Sequence, residues 1–179
     1  MYKHLFLTAT LLIVICLTGY AQNRQNPAVP EYGGIYEIPE ATKHPDPSLE
    51  YKIVIDVKGG AEIAEEENRS LINIARTLNL HVQGGVPKEN IKIVAVVHNL
   101  ATPVVLSNEA YQKHFSVDNP NDSLIHALTE AGVEMHVCGQ SLIARRYADE
   151  TLHPDVAVSI SAMTILTEYQ LKGYALLSF

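Results

Sequence analysis

Cysteine is almost absent from this chain. Of its 179 residues only Cys16 and Cys138 are cysteine. Cys16 lies in an N-terminal apolar run that reads as a removable leader, so the mature protein has one thiol and cannot form an internal disulfide. Basic residues are also few, 13 Lys and Arg against 20 Asp and Glu, giving a net charge of −7. The nearest thing to a basic cluster is Arg145-Arg146. Without a basic face to release counterions, neither nucleic acid nor an anionic membrane is expected as a partner. The common cofactor signatures are missing too: no G-x-G-x-x-G, no P-loop lysine, no G-x-S-x-G elbow, no H-E-x-x-H and no C-x-x-C. The 8 histidines are scattered, with no i,i+4 pair to seat a metal on a helix. Dinucleotide, ATP and zinc-hydrolase chemistry lose their sequence support, and no cofactor or metal is expected.

What is present begins with Lys3 and His4, an apolar run from Leu5 to Leu17 and the small-residue exit Gly19-Tyr20-Ala21. This is the order of a secretory signal, with a core too short to span ~30 Å of hydrocarbon comfortably. Residues 1–21 are therefore expected to be cleaved, leaving a periplasmic or secreted protein with no stable membrane insertion. An uncleaved anchor is the rival reading. Lipidation at Cys16 is disfavoured by Val14-Ile15, where a small residue is expected. The remaining ~158 residues suit one domain with a single core. Residues 22–49, with Pro27, Pro30, Pro39, Pro45 and Pro47 and few aliphatics, read as an arm or linker. Tyr32, Ile35, Tyr36 and Ile38 are positioned to lie against the domain or a neighbouring subunit.

From residue 50 onward strands alternate with helices. Apolar runs predict strands at 51–57, 91–97, 133–138, 156–160 and 174–177, the second almost wholly apolar as a strand buried on both faces should be. Helices are expected at 63–82, 108–115, 122–131, 141–147 and 162–171. The first carries Leu71, Ala75, Leu78 and Val82 on one face and Glu65, Glu66 and Glu67 in its first turns, where carboxylates favour the helix dipole. Five such alternations predict an α/β fold, a mostly parallel sheet with helices on both faces and right-handed crossovers.

Ligands in such sheets gather beyond the carboxyl ends of the strands. Asp56, His98-Asn99 and Cys138-Gly139-Gln140 fall there. Cys138 also precedes a helix, whose unpaired N–H groups favour a thiolate. On the strand ending at Cys138, period-2 alternation puts Glu134, His136 and Cys138 on one face, so His136 can lean toward the thiol and Glu134 can orient the imidazole. The competing readings are that Cys138 is a buried packing residue, that His136 is a polar filler at a partly solvated face or subunit contact, and that His98 is a satisfied structural group.

The strings Tyr51-Lys52-Ile53-Val54-Ile55-Asp56, Ile93-Val94-Ala95-Val96-Val97-His98, Gly132-Val133-Glu134-Met135-His136-Val137-Cys138-Gly139-Gln140-Ser141 and Tyr169-Gln170-Leu171-Lys172-Gly173-Tyr174-Ala175 resemble the DsrE/DsrF-like proteins over the whole domain from Tyr51. The leader and arm resemble those of exported members. The resemblance implies a flavodoxin-like, three-layer α/β/α domain with a mostly parallel five-stranded sheet, assembling into a homo-oligomer, a trimer or hexamer. It further implies a sulfur carrier that holds sulfur as a persulfide. Cys138 is the only position onto which that role carries, with His98 or His136 helping to hold the thiolate. Where many relatives follow the histidine with glycine, this chain has Asn99-Leu100. A sulfur donor or acceptor protein, or a small thiol, is the partner such chemistry needs. A non-catalytic oligomeric binding module of the same fold is the alternative, since fold alone does not decide function.

Overall fold

A computed structural model describes residues 23–179; the expected leader lies outside the described residues. Five strands, β1 (Tyr51–Val57), β2 (Ile91–Val97), β3 (Glu134–Cys138), β4 (Ala157–Ser159) and β5 (Ala175–Ser178), form one all-parallel sheet in the order β4-β3-β2-β1-β5. The helices are α1 (Arg69–Gln83), α2 (Asn108–Phe115), α3 (Asp122–Glu130), α4 (Gly139–Ala144) and α5 (Ala162–Leu171). Val54, Ile55, Val94 and Val96 are buried, as the apolar runs of central strands require.

The order follows from the crossovers. Strands β1 to β4 are laid down in one direction, so right-handed connections bring their helices to one face. There Leu71, Ile74 and Leu78 of α1, Leu124, Ile125 and Leu128 of α3, and Leu142 of α4 pack on Ile53, Ile55, Ala95 and Val137. The chain then returns past the whole sheet to place β5 beside β1, and this crossover carries α5 over the opposite face. Ala162, Ile165, Leu166 and Tyr169 of α5 cover Val54, Val94, Val96 and Cys138. The sheet thus lies between two helical layers, one of them a single helix.

Several expectations about boundaries are corrected. Helix α1 starts at Arg69 rather than residue 63, because Asn68 caps it: its Oδ1 accepts the N–H groups of Ser70 (2.9 Å) and Leu71 (3.3 Å). Glu65, Glu66 and Glu67 therefore precede the helix, and its first turn is not acidic. Helix α4 begins directly after Cys138 and stops at Ala144. Residues Asn99–Val105 wind into 3-10 turns.

The arm is folded onto the domain. Val29 and Ile35 are buried, whereas Tyr36 and Ile38 are exposed. Its anchor is Asn79 on α1, fully buried, whose Oδ1 accepts the N–H groups of Ala28 (2.8 Å) and Val29 (2.9 Å) and whose Nδ2 donates to the carbonyls of Tyr32 (2.9 Å) and Gly33 (3.1 Å). One side chain thus satisfies four backbone groups in a segment that forms little regular structure. Gly33, at φ 64°, lies so close to the α1 backbone that any Cβ would collide with Ala75 and Arg76.

Candidate functional site

The connections after β3 and β4 leave the sheet on opposite sides, β3 into α4 and β4 into α5. Adjacent strands with diverging connections open a crevice at their carboxyl ends, the usual ligand position in open parallel sheets. Cys138 ends β3 at that point, paired in register with Ser159 of β4. Gly139 is required beside it, because a Cβ there would meet the carbonyl oxygen of Ser159 at 2.9 Å.

The thiol of Cys138 is buried, 4% exposed, against Val54, Val94, Val96 and Ala162. Burial pushes its pKa up, but the Ser141 hydroxyl, then the N–H groups of Ala162, Ser141 and Gln140, outweigh burial and leave the thiol below its ordinary value. The first turns of α4 and α5 thus meet at the strand end that carries the sulfur. This convergence is a consequence of the switch point, since only there do two helices on opposite faces begin side by side.

Ser141 is tied in turn to the end of β2. Its Oγ accepts the N–H of Asn99 at 3.2 Å, and Arg145 Nη2 donates to Asn99 Oδ1 at 2.9 Å. Asn99 holds φ 52°, the left-handed conformation that glycine takes freely and asparagine tolerates best among other residues. Asn99 thus takes a glycine-like backbone and adds a side chain that holds Arg145. Asn99, Ser141, Ala144, Arg145 and Tyr147 line a hollow of about 520 Å³. A larger hollow, about 810 Å³ and lined by Gly60, Glu62, Glu66, Arg69 and Arg76 among others, shares no residue with it and contains no nucleophile.

His98 follows β2, and the register that pairs Val97 with Val137 carries His98 alongside Cys138. Its Nε2 lies 2.6 Å from Asp56 Oδ1, and Asp56 also meets Lys58 Nζ at 3.3 Å. Burial raises the Asp56 pKa, but the His98 hydrogen bond and the His98 and Lys58 charges outweigh it and hold the carboxyl below its usual range. His136 lies two residues before Cys138 on the same face. Its Nε2 lies 2.6 Å from Glu134 Oε1, which also accepts the Tyr169 hydroxyl at 2.7 Å, while His136 Nδ1 is buried without a partner among the described residues. Burial raises the Tyr169 pKa and Glu134 raises it further. Among the described residues neither imidazole hydrogen-bonds the thiol; His98 is held by Asp56 and His136 by Glu134. Sequence placed Asn99 at the end of β2, but the contribution of Ser141 and Arg145 was not visible in it, because it depends on α4 folding back over the turn after β2. The one available signal was the polar Gly139-Gln140-Ser141 after the cysteine.

Among the described residues no group of three or more His, Cys, Asp or Glu side chains is arranged to hold a metal ion, and no helix is long and apolar enough to cross a membrane. The densest histidine-carboxylate contact elsewhere joins His126 to Asp155 at 3.1 Å beside buried His153.

A single five-stranded parallel sheet whose cysteine ends a strand between two diverging helices defines an α/β domain of the flavodoxin-like class. The chain belongs to the DsrE/DsrF-like family, whose model matches residues 51–179. Among solved structures, a protein of unknown function from Methanobacterium thermoautotrophicum, MTH1491, superposes with a TM-score of 0.54 at 21% identity, over 72% of this chain and 99% of that one. The ychN protein of E. coli gives 0.48 at 20% identity over the same shares. The first likeness establishes the fold. The chain matches no curated protein.

Proposed function

We propose that this protein is an exported sulfur carrier that accepts a sulfane sulfur on Cys138 as a persulfide and passes it to a partner protein or a small thiol. The observation that carries the reading is the position of the single thiol at the end of β3, where the first turns of α4 and α5 meet, with its pKa held below the ordinary value by the polar groups there. A persulfide needs one nucleophilic thiolate and no resolving cysteine, and the described residues contain Cys138 alone. Membership of the DsrE/DsrF-like family agrees with a sulfur-relay role. His98, held by Asp56, and His136, held by Glu134, are the candidate proton-handling groups beside it. Export rests on the signal-like order of residues 1–21.

A homo-oligomer, a trimer or hexamer, is part of this reading. Val158, Ile160 and Met163 are exposed around the β4 edge and the start of α5, where a second copy can cover them.

The test is direct. Reduced protein is incubated with polysulfide, freed of excess reagent and weighed intact. Wild type should gain sulfur and Cys138→Ser should gain none while keeping its fold. A wild-type protein that gains no sulfur leaves Cys138 as a packing residue and favours the binding-module alternative.

A further inference from the structure

Cys138 is 4% exposed, so the fold must open before a reagent can attack its sulfur, and the element that covers it is lightly anchored. Ala162 of α5 packs on Cys138, with Ile165, Leu166 and Tyr169 beside it. Ala162 is the only buried residue of α5, whereas α1 buries Leu71, Ile74, Ala75 and Leu78, and α3 buries Leu124, Ile125 and Leu128. The helix also joins the two edge strands, β4 and β5, whose residues are mostly exposed. Few buried apolar contacts between edge strands mark a segment that opens locally, at a free energy below that of global unfolding. Among the described residues, the one hydrogen bond from a side chain of α5 to the sheet runs from the Tyr169 hydroxyl to Glu134 Oε1 at 2.7 Å, the oxygen that His136 Nε2 meets at 2.6 Å. The His136 ring lies beside that of Tyr169, centroids 6.4 Å apart, and its Nδ1 is buried with no partner among the described residues. An orphaned buried nitrogen is relieved when water reaches it, so the cluster that holds the helix down also favours its release.

We propose that α5 is a gate over Cys138: the helix lifts from the sheet as a local unit, the Tyr169 to Glu134 hydrogen bond holds it closed, and the unpartnered His136 Nδ1 favours opening because it gains water. The sheet strands β1, β2 and β3 and the helices α1 and α3 stay in place, since their cores lie on the other face. Closed, the gate shields the sulfur and anything bonded to it from water and from stray thiols. Open, it lets a donor or an acceptor reach the strand end. That purpose rests on the sulfur-carrier reading; the opening itself does not. Tyr169, Glu134 and His136 act here as positioning residues, on the helix and not on the sulfur.

Two rates on the native protein test the gate: alkylation of Cys138 by iodoacetamide, and amide hydrogen exchange of α1, α3 and α5 followed by peptide mass spectrometry. Both are measured at several urea concentrations below the unfolding transition. Wild-type labelling should share the urea dependence of α5 exchange, and both should be shallower than that of α1. Tyr169→Phe should raise labelling and α5 exchange about fivefold, the loss of one hydrogen bond. His136→Phe removes the orphaned nitrogen and should slow both. General destabilisation does not produce opposite shifts, and a His136 that acted only on the thiol proton would slow labelling and leave α5 exchange as it was. Labelling that shares the urea dependence of α1, or that fails to follow α5 exchange in either variant, overturns the gate. Polysulfide loading is read separately by intact mass. Gated labelling in a protein that gains no sulfur upholds the gate and overturns the sulfur-carrier reading, and sulfur loading with labelling that ignores both variants does the reverse.

Discussion

The backbone N–H of Asn99 donates to Ser141 Oγ at 3.2 Å, joining the turn after β2 to the first turn of α4. Ser141 is also the largest influence that lowers the Cys138 pKa. The same asparagine holds the positive charge of Arg145 on its side chain.

Ser141→Ala should raise the Cys138 pKa. Losing a hydrogen bond to a charged group, worth about 1.5 kcal/mol, should slow iodoacetamide alkylation near neutral pH about tenfold. The thiolate absorbance measured against pH checks it: the midpoint of wild type should lie below that of Ser141→Ala. Coincident midpoints would mean that the backbone N–H groups act alone.

Asp56 and His98 supply a pH signature. The folded Asp56 carboxyl is held below its unfolded value of about 3.9. A depressed carboxylate contributes stability that is complete above the unfolded value and is lost as pH falls through the folded one. The stability difference between wild type and Asp56→Asn should therefore shrink as pH falls below about pH 4. Urea unfolding at several pH values measures it, and a difference that does not change with pH would leave the pair with a purely steric role.

Asn79→Ala should release the arm. The change removes four hydrogen bonds to the backbone of residues 28–33 from a fully buried position. Because the freed segment regains water, the cost should be about 2–4 kcal/mol rather than the sum for four orphaned groups. Limited proteolysis should cut within residues 23–45 well before the domain unfolds, while sheet signals in circular dichroism persist.

The strands were legible because the apolar runs Ile53-Val54-Ile55 and Ile93 to Val97 admit no other placement, and Cys138 was legible as a strand-end residue preceding a helix. Helix starts were less so. The acidic residues 65–67 suit a first turn, but Asn68 competes for the cap, and its own N–H is taken by buried Asn121 Oδ1 at 2.7 Å, a partner 53 residues away. Asn79, Asn119 and Asn121 are likewise buried polar residues whose partners are backbone groups in other segments. No local pattern distinguishes such an asparagine from one in a solvated loop. The same holds for Ser141 and Arg145, whose part in the site exists only once β2 and β3 lie side by side.

The last prediction concerns assembly. Ile160 is 80% exposed and Met163 76%, with Val158 beside them on a three-residue edge strand whose outer side pairs with no other strand among the described residues. Fully burying an aliphatic side chain of this size contributes roughly 1.5–3 kcal/mol, so three of them give a patch strong enough to drive association when repeated by symmetry. The patch also adjoins the residues that cover the thiol, since Ala162 stands between Ile160 and Met163 in sequence and packs against Cys138. Self-association should therefore reduce the access of a bulky thiol reagent more than that of a small one. Ile160→Glu places a charge in the patch and should convert the assembly to monomer at tens of micromolar, as read by light scattering, with the far-ultraviolet spectrum unchanged. Its thiol should gain reactivity toward a bulky maleimide relative to iodoacetamide. A wild type that is itself monomeric at that concentration rejects the assembly; an oligomer that survives Ile160→Glu moves the contact to another face.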